Sequence, residues 1–210
     1  MKLIGMLDSP FVRRVAISAK LLGLPFEHHS ISVFRQFDAF KSFNPVVVKA
    51  PTLLTDDGTM LVDSSLIVDY LDRLVAPQRR LVPDDLPARV RVLELTGLAL
   101  AAAEKTVQVV YEHGLRPGEK QHQPWLDRVL GQLDAAYGAL DARIAGASGW
   151  LVGERITQAD VTVAVAWRFT QFMKGDYPDL ARVDPARYPA LAALSARAEA
   201  LPEFEGTPLD

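Results

Sequence analysis

Apolar residues change their spacing along this chain, from short clusters broken by polar loops to long helical repeats. Leu3, Ile4 and Met6 form a short apolar strand. Val12, Val15, Ala16, Ala19 and Leu22 then recur three and four residues apart, which predicts an amphipathic helix over residues 11–22 closed by Gly23 and Pro25. Residues 26–33 predict a second strand, and residues 35–43 a short irregular helix ended by Asn44-Pro45. Residues 52–55, the dipeptide Asp57-Gly58 and residues 60–62 predict a β-hairpin. Leu66, Ile67, Tyr70, Leu71 and Leu74 give one more amphipathic helix. The predicted order is β-α-β-α-β-β-α, a small sheet with helices packed on it.

Residues 75–86, VAPQRRLVPDDL, hold two prolines and four charges and read as a connecting stretch. Beyond it every periodic segment predicts helix. One runs from about residue 87 to residue 113, with Gly114 and Pro117 as its stop. A second starts near Pro124 and carries Leu126, Val129, Leu130, Leu133, Tyr137, Leu140 and Ile144. A third, residues 157–172, is apolar nearly all round and belongs in a core. Its start, Thr157-Gln158-Ala159-Asp160, suits a reciprocal cap between Thr157 and Asp160 flanked by Ile156 and Val161. A fourth spans residues 189–201. The fold class expected is α/β plus all-α: a first domain over residues 1–76, a linker at 77–86 and a helical domain over 87–210.

Composition narrows the function. Net charge is −3, and neither part carries the basic stripe that nucleic-acid binding needs, so that class is excluded. No apolar run approaches the roughly 20 residues of a membrane span. The start reaches Asp8 too early for a signal-peptide apolar region. There is no cysteine, which removes disulfides and thiolate metal sites and fits a reducing cytoplasm. The four histidines show no metal-ligand spacing with a carboxylate, and adjacent His28 and His29 point to opposite faces of a strand. No metal site is expected.

Candidate chemistry lies in three loops of the first domain. Ser9-Pro10 joins strand to helix, where a hydroxyl and first-turn N–H groups share one space. Ser9 reads there either as a plain helix cap or as a donor to an anion. Lys49-Ala50-Pro51-Thr52 precedes a hairpin strand, where a proline marks a strand start or a cis turn. Asp63-Ser64-Ser65 opens the next helix; beyond capping it, hydroxyls and free N–H groups suit a carboxylate, and Asp63 suits an ammonium. Together they can grip the zwitterionic end of an amino acid. Ser9 has no His or Asp partner in the sequence, which argues against a hydrolase triad.

These residues resemble the glutathione S-transferase family along the whole chain. Ser9-Pro10-Phe11 with Arg13-Arg14-Val15, Asn44-Pro45 with Lys49-Ala50-Pro51-Thr52-Leu53, and Asp63-Ser64 with Ile67 and Tyr70-Leu71 are similar to its thioredoxin-like first domain. The segment from Thr157 to Val161 is similar to its helical second domain. The resemblance implies that Ser9 activates a glutathione thiol and that Pro51 is cis. It implies further that Ala50 pairs through its backbone with the cysteinyl part, that Asp63 and Ser64 hold the γ-glutamyl end, and that Phe11 and Lys49 add contacts, Lys49 to the glycyl carboxylate. Serine at position 9 is similar to the serine-type transferases, and the Ser- and Cys-rich first loop of the isomerase branch is missing. Asp63 stands where the family usually has Glu.

The expected function is conjugation of glutathione, as cosubstrate, to small hydrophobic electrophiles. The alternative is a non-catalytic glutathione-binding or scaffold protein of the same fold. Walls for the electrophile are sought in Val12, Val107, Tyr111 and Trp167, for which core packing is the competing reading. The resemblance also implies a homodimer, commonly formed along the first two helices of the second domain and the last helix of the first, and the absence of cysteine sets the expected location in the cytoplasm.

Overall fold

The computed structural model of the protein describes residues 1–209. They form two compact units, Met1–Asp84 together with the segment from Leu201 onward, and Asp85–Ala200. The first unit contains β1 (Lys2–Ile4), α1 (Pro10–Leu21), β2 (Glu27–His29), α2 (Phe37–Phe43), β3 (Thr52–Leu54), β4 (Met60–Val62) and α3 (Ser64–Arg73). The sheet order is β2-β1-β3-β4, with β1 parallel to β2 and the other two pairings antiparallel. The hairpin turn uses Gly58 at φ +85°, a conformation costly for other residues.

The predicted apolar stripe of α1 is buried, and with Leu3, Leu53, Ile67, Val68 and Leu71 it forms the core of this unit. Each fully buried leucine or isoleucine contributes about 1.5–3 kcal/mol. The opposite flank of α1 is buried too, although it carries Arg13, Arg14 and Ser18. On one side α1 packs against α3. On another it meets α8 (Pro202–Glu205), a four-residue helix too short to give a periodic signal. Arg13 Nε donates to Thr207 O at 2.8 Å and Nη2 to Phe204 O at 3.4 Å, with the guanidinium over the Phe204 ring. Lys20 Nζ donates to Gly206 O at 2.7 Å. The sequence-based boundary ran the helical domain to residue 210. The described residues from Leu201 onward instead pack with the first unit, because these cations of α1 take carbonyls of the final turn.

The expected linker at 77–86 is likewise largely tied down. Pro77–Arg79 is a 3-10 turn and Leu81 joins the core. The buried Asp72 carboxylate accepts the N–H groups of Leu81 and Val82, each at 2.9 Å. The boundary falls at Asp85, which caps the next helix by accepting Ala88 N–H at 3.0 Å.

The second unit is helical: α4 (Leu86–Leu115), α5 (Gln123–Ile144), α6 (Gln158–Met173) and α7 (Pro189–Glu199). Helix α4 passes through Gly114 and ends at Leu115. Arg116 is extended at ψ 135° because it precedes Pro117, so the proline and not the glycine is the stop. Helix α6 is buried along most of its length and packs on both α4 and α7. Its start forms the predicted cap: Asp160 Oδ2 accepts Thr157 N–H at 2.8 Å and Thr157 Oγ1–H at 2.7 Å. The other oxygen, Oδ1, accepts Leu151 N–H at 2.8 Å. Those bonds account for the buried carboxylate structurally.

Candidate functional site

The sheet register brings the three candidate loops to one edge. Ile4 pairs with Thr52, and Thr52 with Val62. One residue further, Gly5, Pro51 and Asp63 lie abreast where β1, β3 and β4 leave the same end of the sheet. Gly5 makes this approach possible. At φ +135°, a Cβ there would stand 2.6 Å from Val12 Cγ2 and 3.0 Å from Ala50 Cβ. Only a glycine lets the first loop, the first turn of α1 and the Ala50 loop close together.

Ser9 is the N-cap of α1, with Pro10 next. Its Oγ accepts Val12 N–H at 3.5 Å, at the weak limit of a hydrogen bond. The cap uses an oxygen lone pair, so the hydroxyl proton stays available for a second partner. Among the described residues no acceptor takes it. Ser9 therefore caps the helix, and its hydroxyl proton stays at a helix N-terminus, a place where an anion is favoured.

The Ala50–Pro51 bond is cis. No hydrogen bond within the described residues engages the Ala50 N–H or C=O, which leaves a short stretch of backbone open to pairing. The loop is held from below by Asn44. This buried side chain donates from Nδ2 to Thr52 Oγ1 at 2.9 Å and accepts Val47 N–H on Oδ1 at 2.9 Å. Thr52 Oγ1 in turn donates to Lys49 O at 2.7 Å. Lys49 itself is exposed.

Asp63 has φ +73°, a conformation that carries strain for a non-glycine residue and recurs at ligand sites. Its Oδ1 caps α3 by accepting Ser65 N–H at 2.9 Å, which leaves Oδ2 for a cation. Beneath it lies Arg14, whose Nη1 donates to Ser64 Oγ at 3.0 Å and Ser65 Oγ at 3.2 Å. Burial pushes the guanidinium down to about 10, partly opposed by the Asp63 charge, so it remains a cation at neutral pH.

Sequence reasoning named neither Arg14 nor Asn44 as a site residue. Asn44 had a readable signal, the Asn-Pro stop of α2. Arg14 had none, because its partners lie 50 and 51 residues away.

The four proposed electrophile contacts are divided between the units, Val12 in the first and Val107, Tyr111 and Trp167 in the second. Val12 is fully buried in the core of the first unit, and Trp167 is buried in the second, edge-on to Tyr137 and Tyr188. Packing accounts for the burial of both side chains. Val107 is half-buried and Tyr111 exposed, one turn apart on α4. Phe11 is half-buried in the first turn of α1. Among the described residues no cluster of His, Asp or Glu is placed to hold a metal, and no helix is long and apolar enough to cross a membrane.

The family model for the glutathione S-transferase N-terminal domain matches residues 3–79, and that for the C-terminal domain matches residues 123–197. The chain is 27% identical over 175 residues to the uncharacterised GST-like protein YibF of Escherichia coli (strain K12), covering 83% of this chain and 84% of YibF. It is 28% identical over 169 residues to a maleylacetoacetate isomerase of Pseudomonas aeruginosa, 77% of each chain. The crystal structure of a glutathione transferase family member from Pseudomonas fluorescens Pf-5, with bound S-(propanoic acid)-glutathione, superposes with a TM-score of 0.78. That pair is 30% identical over 99% of this chain and 98% of the other. Two domain models across most of the chain, and a relative aligned from end to end, show that this protein belongs to the glutathione S-transferase family.

Proposed function

We propose that the protein binds glutathione at the edge formed by Ser9, Ala50–Pro51 and Asp63–Ser64, and transfers it to small hydrophobic electrophiles. The observation that carries this reading is the alignment of Gly5, Pro51 and Asp63 at one end of the sheet, with a free hydroxyl proton on Ser9 beside them. Ser9 donates to the thiolate. The open Ala50 backbone pairs with the cysteinyl residue, and Phe11 packs beside it. The γ-glutamyl ammonium meets Asp63 Oδ2, and its carboxylate meets Ser64 at the start of α3. Lys49 reaches the glycyl carboxylate. Val107 and Tyr111 are the positions to probe for the electrophile.

Conjugation of foreign electrophiles is a detoxifying activity, and a chain without cysteine suits the cytoplasm, where we place it. We also propose a homodimer. Leu86, Val90 and Leu93 form an exposed apolar stripe along α4, one of the helices at which the resemblance sets the contact.

Calorimetry with glutathione, followed by turnover of an activated aromatic halide, tests the reading. Binding with turnover is expected. Absence of binding refutes it, and binding without turnover of several electrophiles favours the ligand-binding scaffold. The similarity to maleylacetoacetate isomerase supports a second reading, glutathione-dependent cis–trans isomerisation. A maleyl substrate in the same assay separates the two.

A further inference from the structure

Helices α6 and α7 leave a cleft of about 320 Å³ between them, at the lower end of the range for small-molecule sites. Two nearly buried polar side chains line it without a partner. Trp167 is 3% exposed and Ser195 4%. Among the described residues nothing accepts the Trp167 indole N–H, although a buried indole usually finds an acceptor. Ser195 departs from habit in the same way. A serine or threonine inside a helix tends to turn its hydroxyl onto the carbonyl four residues before. Ser18, Thr162 and Thr170 do so, at 2.7, 2.7 and 3.1 Å. Ser195 does not, and no other described residue takes its proton.

A third group adds charge. Arg168, next to Trp167 on α6, is exposed and lines the same cleft. It makes no ion pair or hydrogen bond with the described residues. Gln171, by contrast, is engaged at both ends of its amide, donating to Val183 O at 3.0 Å and accepting from Lys174 Nζ at 3.3 Å. Indole and guanidinium only donate, and a hydroxyl can. Donors left without an acceptor, one of them a cation, suit an anion with several lone pairs, which a carboxylate supplies. The rest of the lining is small and apolar: Ala192 and Ala196 stand one turn apart on α7 and leave room for a flat body. Glu199, which has a partner of its own, lines the cleft one turn beyond Ser195 and opposes a second negative group.

We propose that this cleft is a binding site for a small aromatic monocarboxylate. Arg168 meets the charge, the Trp167 N–H and the Ser195 hydroxyl donate to the carboxylate oxygens, and the ring lies on Ala192 and Ala196. All of these residues belong to the second unit, so the site stands independently of the glutathione reading.

The test uses the full chain, labelled with heavy nitrogen so that each indole N–H gives its own magnetic-resonance signal. Benzoate is the probe, and benzamide is its neutral counterpart of equal size. Of the three tryptophans, Trp167 is identified by its ring neighbours Tyr137 and Tyr188, with centroids 5.4 and 6.0 Å away. Benzoate shifts the Trp167 signal saturably, and benzamide binds at least about tenfold more weakly, the scale of one charge-assisted contact. Arg168→Gln, at an exposed position, lowers benzoate affinity at least about tenfold, and Ser195→Ala lowers it about threefold to tenfold. Glutathione affinity is unchanged in both variants. A Trp167 signal that does not respond to millimolar benzoate overturns the proposal. So do equal affinities for benzoate and benzamide, or full benzoate affinity in Arg168→Gln.

Discussion

Replacing Ser9 by alanine removes one oxygen that has two roles, and the two have different sizes. As a cap, Ser9 accepts Val12 N–H at 3.5 Å. Loss of a serine cap costs about 0.5–2 kcal/mol, and a bond this long puts the cost near the lower end, about 0.5 kcal/mol. As a donor to a thiolate, the hydroxyl is worth about 1.5–3 kcal/mol. At about 1.4 kcal/mol per unit, that is a change of about one to two units in the thiol pKa. A free thiol ionises near 8.5, so a lowering of this size brings the bound thiol close to neutrality, and Ser9→Ala returns it toward the free value. The assay is an ultraviolet titration of thiolate absorbance in the glutathione complex, alongside glutathione affinity and urea unfolding. The expected result is a higher ionisation midpoint, affinity nearly unchanged and a small stability loss. Turnover of an aromatic halide falls most at acid pH and converges with the unaltered protein as pH rises. An unchanged midpoint in Ser9→Ala would refute the donor role and leave Ser9 a cap.

Three further substitutions probe the scaffold. Gly5→Ala forces a Cβ against Val12 and Ala50; it should lower stability by about 1–3 kcal/mol in urea unfolding and weaken glutathione binding as the Ala50 loop shifts. Arg13→Met leaves the Thr207 carbonyl without the Arg13 donor, while Phe204 O keeps Thr207 N–H; a stability loss of about 1–3 kcal/mol is expected, with faster proteolysis beyond Leu201, and an unchanged cleavage pattern would argue against the clasp. Asp160→Asn turns one carboxylate oxygen into a donor facing N–H groups and should cost about 1–3 kcal/mol. Burial raises the Asp160 carboxyl above its ordinary 3.8, so the folded state holds its proton more firmly than the unfolded chain. The stability difference between the unaltered protein and Asp160→Asn is therefore greatest below that ordinary value and shrinks as pH rises through the folded one. Urea midpoints from about pH 4 to about pH 7 measure it, and a difference that grows with pH contradicts the assignment.

Where order is local, the sequence is a good guide. Asp57-Gly58 between two apolar runs sets the hairpin, and with it the register that brings Gly5, Pro51 and Asp63 level. Thr157 and Asp160 are three residues apart, so their cap is readable without tertiary information. Arg13 and Arg14 are the opposite case. On a helix wheel they mark a solvent face, yet both are buried because α8 and α3 cover them from far along the chain. Leu81 sits in a proline- and charge-rich stretch that reads as free linker until the Asp72 carboxylate is seen holding it. Val12 and Trp167 show the limit from the other side: an apolar residue has no sequence mark that separates a pocket wall from packing.

The return of the final segment to α1 also bears on how the molecule is made. The first unit is discontinuous in the chain, interrupted by all of Asp85–Ala200. During synthesis α1 emerges early, but the carbonyls that receive Arg13 and Lys20 belong to residues 204, 206 and 207 and emerge only after the whole second unit. Domains commonly fold in the order they leave the ribosome. Here the helical unit can finish first, while the unit that carries Ser9 waits for the segment beyond Leu201 to close around its own first helix. A fragment ending at Asp84 would lack that closure.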